Sequence, residues 1–413
     1  MKMNAGSVYE GVRLAIDQLR ANKFRSALTI LGIVIGVATV MAMSAMIGGI
    51  RGSVLSELEA IGPKNFIVVR YNFNEARVSS DGPPPWERNP PLTAAEARSI
   101  ERLDRIASTI VDFDLNGDFS VGSDRVGGVQ ISANGEGWNA FSSGTFDAGR
   151  NFLPAEVRAA RPVVVLSTHL ASELFGPLSP IGRGVRINGS AFTVVGVFDM
   201  SANVFASVIR NFAIVPYTAA LKYLDATDEW LSILVVPTAH ATQQDAIDQV
   251  VAALRTSRGL RTGEPNNFAV VRQDEMLNTF NQITGVFFLV MIALSSVALM
   301  VGGVGVVAIM MIAVTERTRE IGIRKALGAT RREILWQFLV EAVTLTLIGS
   351  MIGMLLGASG ALLIASTTPI PAAVPLGAVV AALIMAAVAG VFFGLWPAWR
   401  ASRLDPVVAL RYE

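Results

Sequence analysis

The chain has 413 residues, of which 52% are hydrophobic, with 34 Lys plus Arg against 33 Asp plus Glu, and its mean hydropathy of +0.49 is too high for an ordinary soluble enzyme. A net charge of +1 offers no basic field, so no nucleic-acid partner is expected, and the absence of cysteine excludes disulfides, thiolate metal sites and a Cys nucleophile. Stretches 26–50, 276–315 and 342–399 carry no charge at all, and an uncharged run above about 18 residues can cross a bilayer core as a helix, which excludes a wholly soluble chain.

Residues 1–25 place Val8, Val12, Ile16 and Leu19 on one helical face, with Arg13, Asp17, Arg20 and Lys23 elsewhere. That pattern suits an interfacial amphipathic helix resting on membrane lipid, and equally a cytosolic extension of the span that follows. The first span, 26–50, exceeds the roughly 7 to 15 residues of a cleaved signal's apolar region, so it is expected to remain as an anchor.

Residues 51–280 read as a large α+β domain. Phe66 to Arg70 predicts a strand; Thr93-Ala94-Ala95-Glu96 is a capping box opening a helix with Ala97, Ile100 and Leu103 on one face; Thr109-Ile110-Val111 predicts a second strand. A matching unit follows at Ser232 to Val236, a helix from Thr242 with Ile247, Val250, Val251 and Leu254 in a stripe, and Phe268 to Val271. Two such units suggest a ferredoxin-like split βαβ sheet, and the intervening residues, about 113–230, predict a β-rich insertion. Within it, Asn188-Gly189 marks a hairpin turn. Asp112, Asp114 and Asp118 lack a calcium loop with its terminal Glu and are read as solvated turn residues. The Pro-rich run 82–91 around Trp86 is read as a stiff connector. His169 and His240 have no ligand spacing and are read as ordinary surface or helix-start residues.

The second span lies near 285–314, within a helix long enough to continue past the membrane as a stalk. Pro369, Pro371 and Pro375 force a turn at 367–375, which separates a third span at 343–366 from a fourth at 376–396. The segments 1–25, 315–341 and 397–413 together carry +6, and residues 51–275 carry −5. Lys and Arg in short loops stay cytoplasmic, so the termini are expected inside and the domain outside. The expected architecture is therefore a membrane protein, α-helical with four transmembrane helices plus a large α+β extracytoplasmic domain. Glycines recur at four-residue spacing in three spans: Gly32 and Gly36; Gly349, Gly353 and Gly357; Gly390 and Gly394. Small residues at that interval allow close helix packing.

The chain has no Gly-Lys dipeptide for a phosphate-cradling loop, no Gly-x-Ser-x-Gly elbow and no His-Glu-x-x-His helix. No catalytic residue, metal site or cofactor is expected in it. The densest charge cluster, 316–332, holds Glu316, Arg317, Arg319, Glu320, Arg324 and Lys325. A simple positive-inside anchor has no use for the two Glu residues, so this mixed-charge segment is read as a docking surface that couples the membrane to a cytoplasmic partner.

The run Thr315-Glu316-Arg317-Thr318-Arg319-Glu320-Ile321-Gly322-Ile323-Arg324-Lys325-Ala326-Leu327-Gly328-Ala329, with Gly302-Gly303-Val304-Gly305 before it and Gln337-Phe338-Leu339-Val340-Glu341-Ala342 after it, closely resembles the permease of macrolide-exporter (MacB-like) ABC transporters of the FtsX superfamily. Asn22 to Gly32, Pro180-Ile181-Gly182 and Pro397-Ala398-Trp399-Arg400-Ala401 extend the match along essentially the whole chain. The resemblance implies a porter-type part and an inserted β-rich part outside the membrane, and a dimer with a second permease, a homodimer or a heterodimer, in the bacterial plasma (inner) membrane. It also implies a cytoplasmic ABC ATPase subunit, expected on a separate chain, which would hold ATP and Mg; a periplasmic adaptor and an outer-membrane channel belong to the efflux reading alone. Efflux of drugs, peptides or lipid-linked cargo from the periplasm is the expected function. The alternative is an FtsX-like signalling mechanotransmitter that activates a cell-wall hydrolase.

Overall fold

The computed structural model describes residues 23–72, 85–200, 209–368 and 371–410. Residues 1–22, which hold most of the amphipathic segment expected before the first span, and residues 82–84 of the Pro-rich run lie outside the described residues. The chain divides into two units, Gly52–Gln282 and Met1–Arg51 with Ile283–Glu413.

The first helix, α1 (Lys23–Ile61), enters the Gly52–Gln282 unit at its C-terminal end. Then come β1 (Phe66–Val69), a single turn α2 (Pro85–Arg88), α3 (Ala94–Glu101), β2 (Ile106–Val121) and β3 (Asp124–Asn134). A 3-10 turn (Trp138–Phe141), β4 (Gly144–Gly149), α4 (Pro154–Arg158), β5 (Val163–Ser167), α5 (Thr168–Phe175), β6 (Gly184–Ile187) and β7 (Ser190–Met200) follow. The unit closes with β8 (Phe212–Pro216), α6 (Tyr217–Tyr223), β9 (Ser232–Pro237), α7 (Gln243–Ser257) and β10 (Ala269–Arg272).

The strands form one sheet in the order β10-β1-β9-β2-β3-β8-β5-β7-β4, with β6 pairing β2 and β7. Its β10-β1-β9-β2 end is antiparallel. With α3 and α7 as crossovers, that order is the ferredoxin-like arrangement anticipated from the two βαβ units. The local signals explain the elements. Thr93 and Glu96 form the capping box of α3, and Thr242 caps α7 through Asp245 N–H. Asn188 and Gly189 take positive φ values of 48° and 87° in the β6–β7 hairpin, as a tight two-residue turn demands. Ile247, Val250 and Leu254 of α7 are buried, each contributing about 1.5 to 3 kcal/mol if fully removed from water. Arg258, at the end of α7, clamps α3 by donating from Nε to Glu96 Oε1 (2.6 Å) and from Nη2 to Oε2 (3.1 Å). Burial raises the Glu96 pKa, but the Arg258 and Thr93 bonds outweigh it and hold the carboxyl below its usual value.

The three aspartates require a correction. Asp112, Asp114 and Asp118 lie inside the 16-residue strand β2, not in a turn: Asp112 pairs with Asn134 and Ser232 across its two neighbours, Asp114 accepts from Ser132 Oγ, and Asp118 accepts from Gly128 N–H. Alternation along the strand explains it. Val111 and Phe113 enter the core beneath α3, whereas Ile110 and Asp112 point to the other face. His169 lies exposed in the first turn of α5, with Nδ1 2.8 Å from Asn211 Oδ1.

The second unit contains α1 up to Arg51, α8 (Gln273–Glu316) from Ile283 on, α9 (Thr318–Ala326), α10 (Arg331–Thr367), α11 (Leu376–Ser402) and α12 (Pro406–Leu410). Helices α1, α8, α10 and α11 are each long and apolar enough to cross a membrane. The 44 residues of α8 correspond to about 66 Å at 1.5 Å per residue, twice a bilayer core. Where α8 and α1 meet, a Cβ on Gly32 would fall 2.7 Å from Gly302 Cα, and one on Gly36 would fall 3.3 Å from Ser295 O. Gly349, Gly353 and Gly357 face Ile33, Val34 and Ala38 of α1; Gly390 and Gly394 of α11 face Thr346 and Ala342 of α10. The connection after α10 is tied to α1 by the Ala373 N–H donating to Ala45 O (2.9 Å).

Candidate functional site

The charged segment after α8 folds as α9, which lies in sequence between the end of α8 and the start of α10. Helix α8 ends at Glu316, and Arg317 occupies the junction with φ −103° and ψ 16°. Thr318 Oγ1 donates back to the Val314 and Thr315 carbonyls, which binds the new helix to the old one. At the far end Gly328 takes φ +101°, a conformation that glycine adopts without steric cost, and the Ala329 N–H donates to Arg324 O. Thr330 and Glu333 then form the capping box of α10.

Helix α9 is braced from two sides. Gly322 meets Ala409 of α12, so closely that a Cβ there would lie 2.8 Å from the Ala409 methyl. Lys325 Nζ donates to Leu404 O (2.6 Å). Burial, then the nearby Arg331 charge, lower the Lys325 pKa, while Asp405 opposes them. Toward α10, Arg324 donates from Nη1 to Gln337 Oε1 (2.6 Å) and from Nη2 to Glu320 Oε1 (2.8 Å). Arg317 Nη1 stands 3.5 Å from Oε1 of Glu341.

The six charged residues singled out from sequence thus separate into two groups. Arg317, Arg324 and Lys325 are half-buried and turned to partners within the chain, whereas Glu316, Arg319 and Glu320 are exposed. Ile323 and Leu327, 45% and 84% exposed, add apolar surface beside them. Sequence reasoning missed Glu341 and Gln337. Glu341 had a signal: it continues the buried stripe of Ile334 and Phe338 at helical spacing, where an apolar residue is the norm. Gln337 had none, because its partner lies 13 residues away on another helix.

Comparisons with known proteins match both units. The family model for the MacB-like periplasmic core domain matches residues 26–255, and that for the FtsX-like permease C-terminal region matches residues 292–406. The chain is 30% identical over 410 residues to the uncharacterized ABC transporter permease YknZ of Bacillus subtilis, covering 98% of this chain and 100% of that one. It is 33% identical to the macrolide export ATP-binding/permease protein MacB of Chlorobium luteolum, over 97% of this chain but only 60% of that longer protein. Among solved structures, the periplasmic region of MacB from Actinobacillus actinomycetemcomitans aligns with a TM-score of 0.45 at 19% identity, covering 55% of this chain and 97% of that one. With family models matching both its extracytoplasmic and its membrane regions, the chain belongs to the MacB- and FtsX-like ABC transporter permeases.

Proposed function

We propose that this permease acts with a separate cytoplasmic ATPase, transmits ATP-driven motion to its extracytoplasmic domain, and thereby drives efflux from the periplasm across the envelope of a bacterium whose inner membrane it spans. ATP and Mg belong to the ATPase. The active unit is a homodimer, and an adaptor with an outer-membrane channel completes the route.

The observation that carries this reading is the bracing of α9. A force-bearing contact needs a rigid element, and α9 is tied to α10 through Arg324 and to the segment after α11 through Lys325. The exposed surface here offers both signs of charge, Arg319 on α9, Glu316 at the end of α8 and Glu320, which also accepts from Arg324, next to Ile323 and Leu327. Mixed charge gives orientation and rejects wrong partners. Arg319 supplies a planar donor able to pair bidentately with a carboxylate.

The test is Arg319→Glu in the full chain, checked first for correct insertion and then for co-purification with the ATPase and for ATP-dependent export. Loss of a desolvated interfacial charge pair costs about 2 to 5 kcal/mol, so retention of the ATPase should fall at least tenfold. Correct insertion with undiminished ATPase binding and export would end the coupling role.

A further inference from the structure

The Gly52–Gln282 unit contains a cavity of about 280 Å³ that the coupling reading does not use. Its floor is one face of the sheet, formed by side chains at alternate positions of neighbouring strands: Ile110 and Asp112 of β2, Ser132 and Asn134 of β3, Ser232 and Leu234 of β9. The opposite wall comes from Glu57 and Ile61 at the end of α1 and from Trp138 and Phe141 of the 3-10 turn.

The polarity of this lining is asymmetric. Two carboxylates, Asp112 and Glu57, line the cavity, and no Lys or Arg does so among the described residues. Glu57 already accepts from Ser143 Oγ (2.6 Å). The Asp112 carboxyl is recessed on the floor, and no described side chain donates a hydrogen bond to it or forms an ion pair with it. Its backbone is fully engaged, paired with Asn134 and Ser232, so the side chain is held in place rather than free to swing out to water. Beside it lie flat apolar surfaces: Trp138, packed edge-on to Phe198 at 5.0 Å between ring centroids, with Phe212 and Ile214 on β8. The Asp112 side chain is half-buried and open to water only through the cavity, and a concave site in which polar groups converge beside apolar and aromatic walls is the usual form of a small-molecule site.

We propose that this cavity binds an organic cation with an apolar body, its positive centre paired with Asp112 and its body lying against Trp138 and Phe141. Aromatic faces favour the same charge as the carboxylate does, through their negative quadrupole. An anionic ligand would face two carboxylates with no basic group to compensate. A neutral ligand would leave Asp112 unmatched. The proposal deepens the export reading, because a ligand bound in this domain would be cargo, but binding itself needs no ATPase.

The experiment uses the full chain in lipid nanodiscs, without ATPase, and the photoreactive cation (4-benzoylbenzyl)trimethylammonium, with 4-benzoylbenzyl alcohol as its uncharged counterpart. After irradiation the labelled peptides are mapped by mass spectrometry. The expected result is labelling by the cation on peptides carrying Trp138 and Phe141 or strand β8, competed by benzyltrimethylammonium. Labelling should weaken about tenfold in Asp112→Asn, persist in Asp112→Glu and be weak with the alcohol, as expected for an ion pair in a partly desolvated site. Equal labelling of Asp112→Asn and the parent, equal labelling by the alcohol, or labelling confined to α8, α10 and α11 as membrane partitioning would each overturn the proposal. Failure here with intact ATPase coupling would remove the ligand site alone; the Arg319→Glu result bears only on coupling.

Discussion

Arg317 at the α8–α9 junction reaches to 3.5 Å from Glu341, whose side chain is fully buried in α10 and stands immediately before a 58-residue stretch without charge. Neither carboxylate oxygen of Glu341 accepts a hydrogen bond among the described residues, so the ion pair with Arg317 is its principal compensation. Removing one partner of a buried pair costs about 3 to 5 kcal/mol, largely as the uncompensated charge left behind. Arg317→Ala should therefore lower the thermal stability of the solubilised chain markedly, and Arg317→Ala with Glu341→Gln should recover much of the loss. Equal melting temperatures for the single and double variants would show that the two residues are not coupled.

The orientation expected from the charge distribution is open to direct measurement, because the chain has no native cysteine. Single cysteines at Asn4, Ser123 and Arg331 would be exposed to a membrane-impermeant thiol reagent in intact spheroplasts. Only the Ser123 position, at the exposed turn between β2 and β3, should react. Reaction at Arg331 in sealed cells would overturn the four-span topology.

Close approach of α1 and α8 gives a contrast between two glycines. A Cβ on Gly302 would fall 2.7 Å from Ile33 N, against backbone that cannot yield cheaply, whereas one on Gly360 of α10 would meet nothing within 4 Å. Gly302→Ala should destabilise by about 1 to 3 kcal/mol, as overpacking does. Gly360→Ala should be neutral or gain up to about 1 kcal/mol from helix propensity. Unfolding curves of the two variants in the same detergent read the difference, and equal effects would mean that the α1–α8 contact is not tight.

Much of this fold was legible where one local rule governed. Thr93 with Glu96, Thr242, and Thr330 with Glu333 each announced a helix start, because a capping side chain and the N–H it satisfies lie within four residues. The four spans were legible because lipid forbids charge over a fixed length. Strand β2 was misread for a physical reason: Asp112, Asp114, Asn116 and Asp118 have low β propensity, yet they alternate with Val111, Phe113 and Phe119, whose burial decides the outcome. The inward partners of Arg317, Arg324 and Lys325 were not legible, since Glu341, Gln337 and Leu404 come from other elements and no spacing rule links them.

The cavity carboxyl should reveal itself in the pH dependence of stability. Burial, and then the neighbouring Asp114 carboxylate, push the Asp112 pKa up to about 7 from an ordinary value of 3.8. The other carboxylate lining the cavity is Glu57 on α1, while β3 and β9 contribute only uncharged Gln130, Ser132, Asn134, Ser232 and Leu234. With a folded-state pKa above the unfolded one, the native protein holds this proton more tightly. Well below pH 4 both states are protonated and the group is neutral in its effect. As pH rises toward 7 the unfolded chain ionises first, so native stability falls through that window and levels off above it. Asp112→Asn removes the titration. A fully realised shift would correspond to about 4 kcal/mol, and water reaching the open cavity reduces this to about 1 to 2 kcal/mol. The variant should thus match the parent well below pH 4, gain steadily to pH 7, and keep a constant advantage at pH 8 in thermal unfolding of the full chain. A stability difference that stays flat across pH, or a variant less stable than the parent at pH 8, would show that Asp112 is already satisfied and not waiting for a cation.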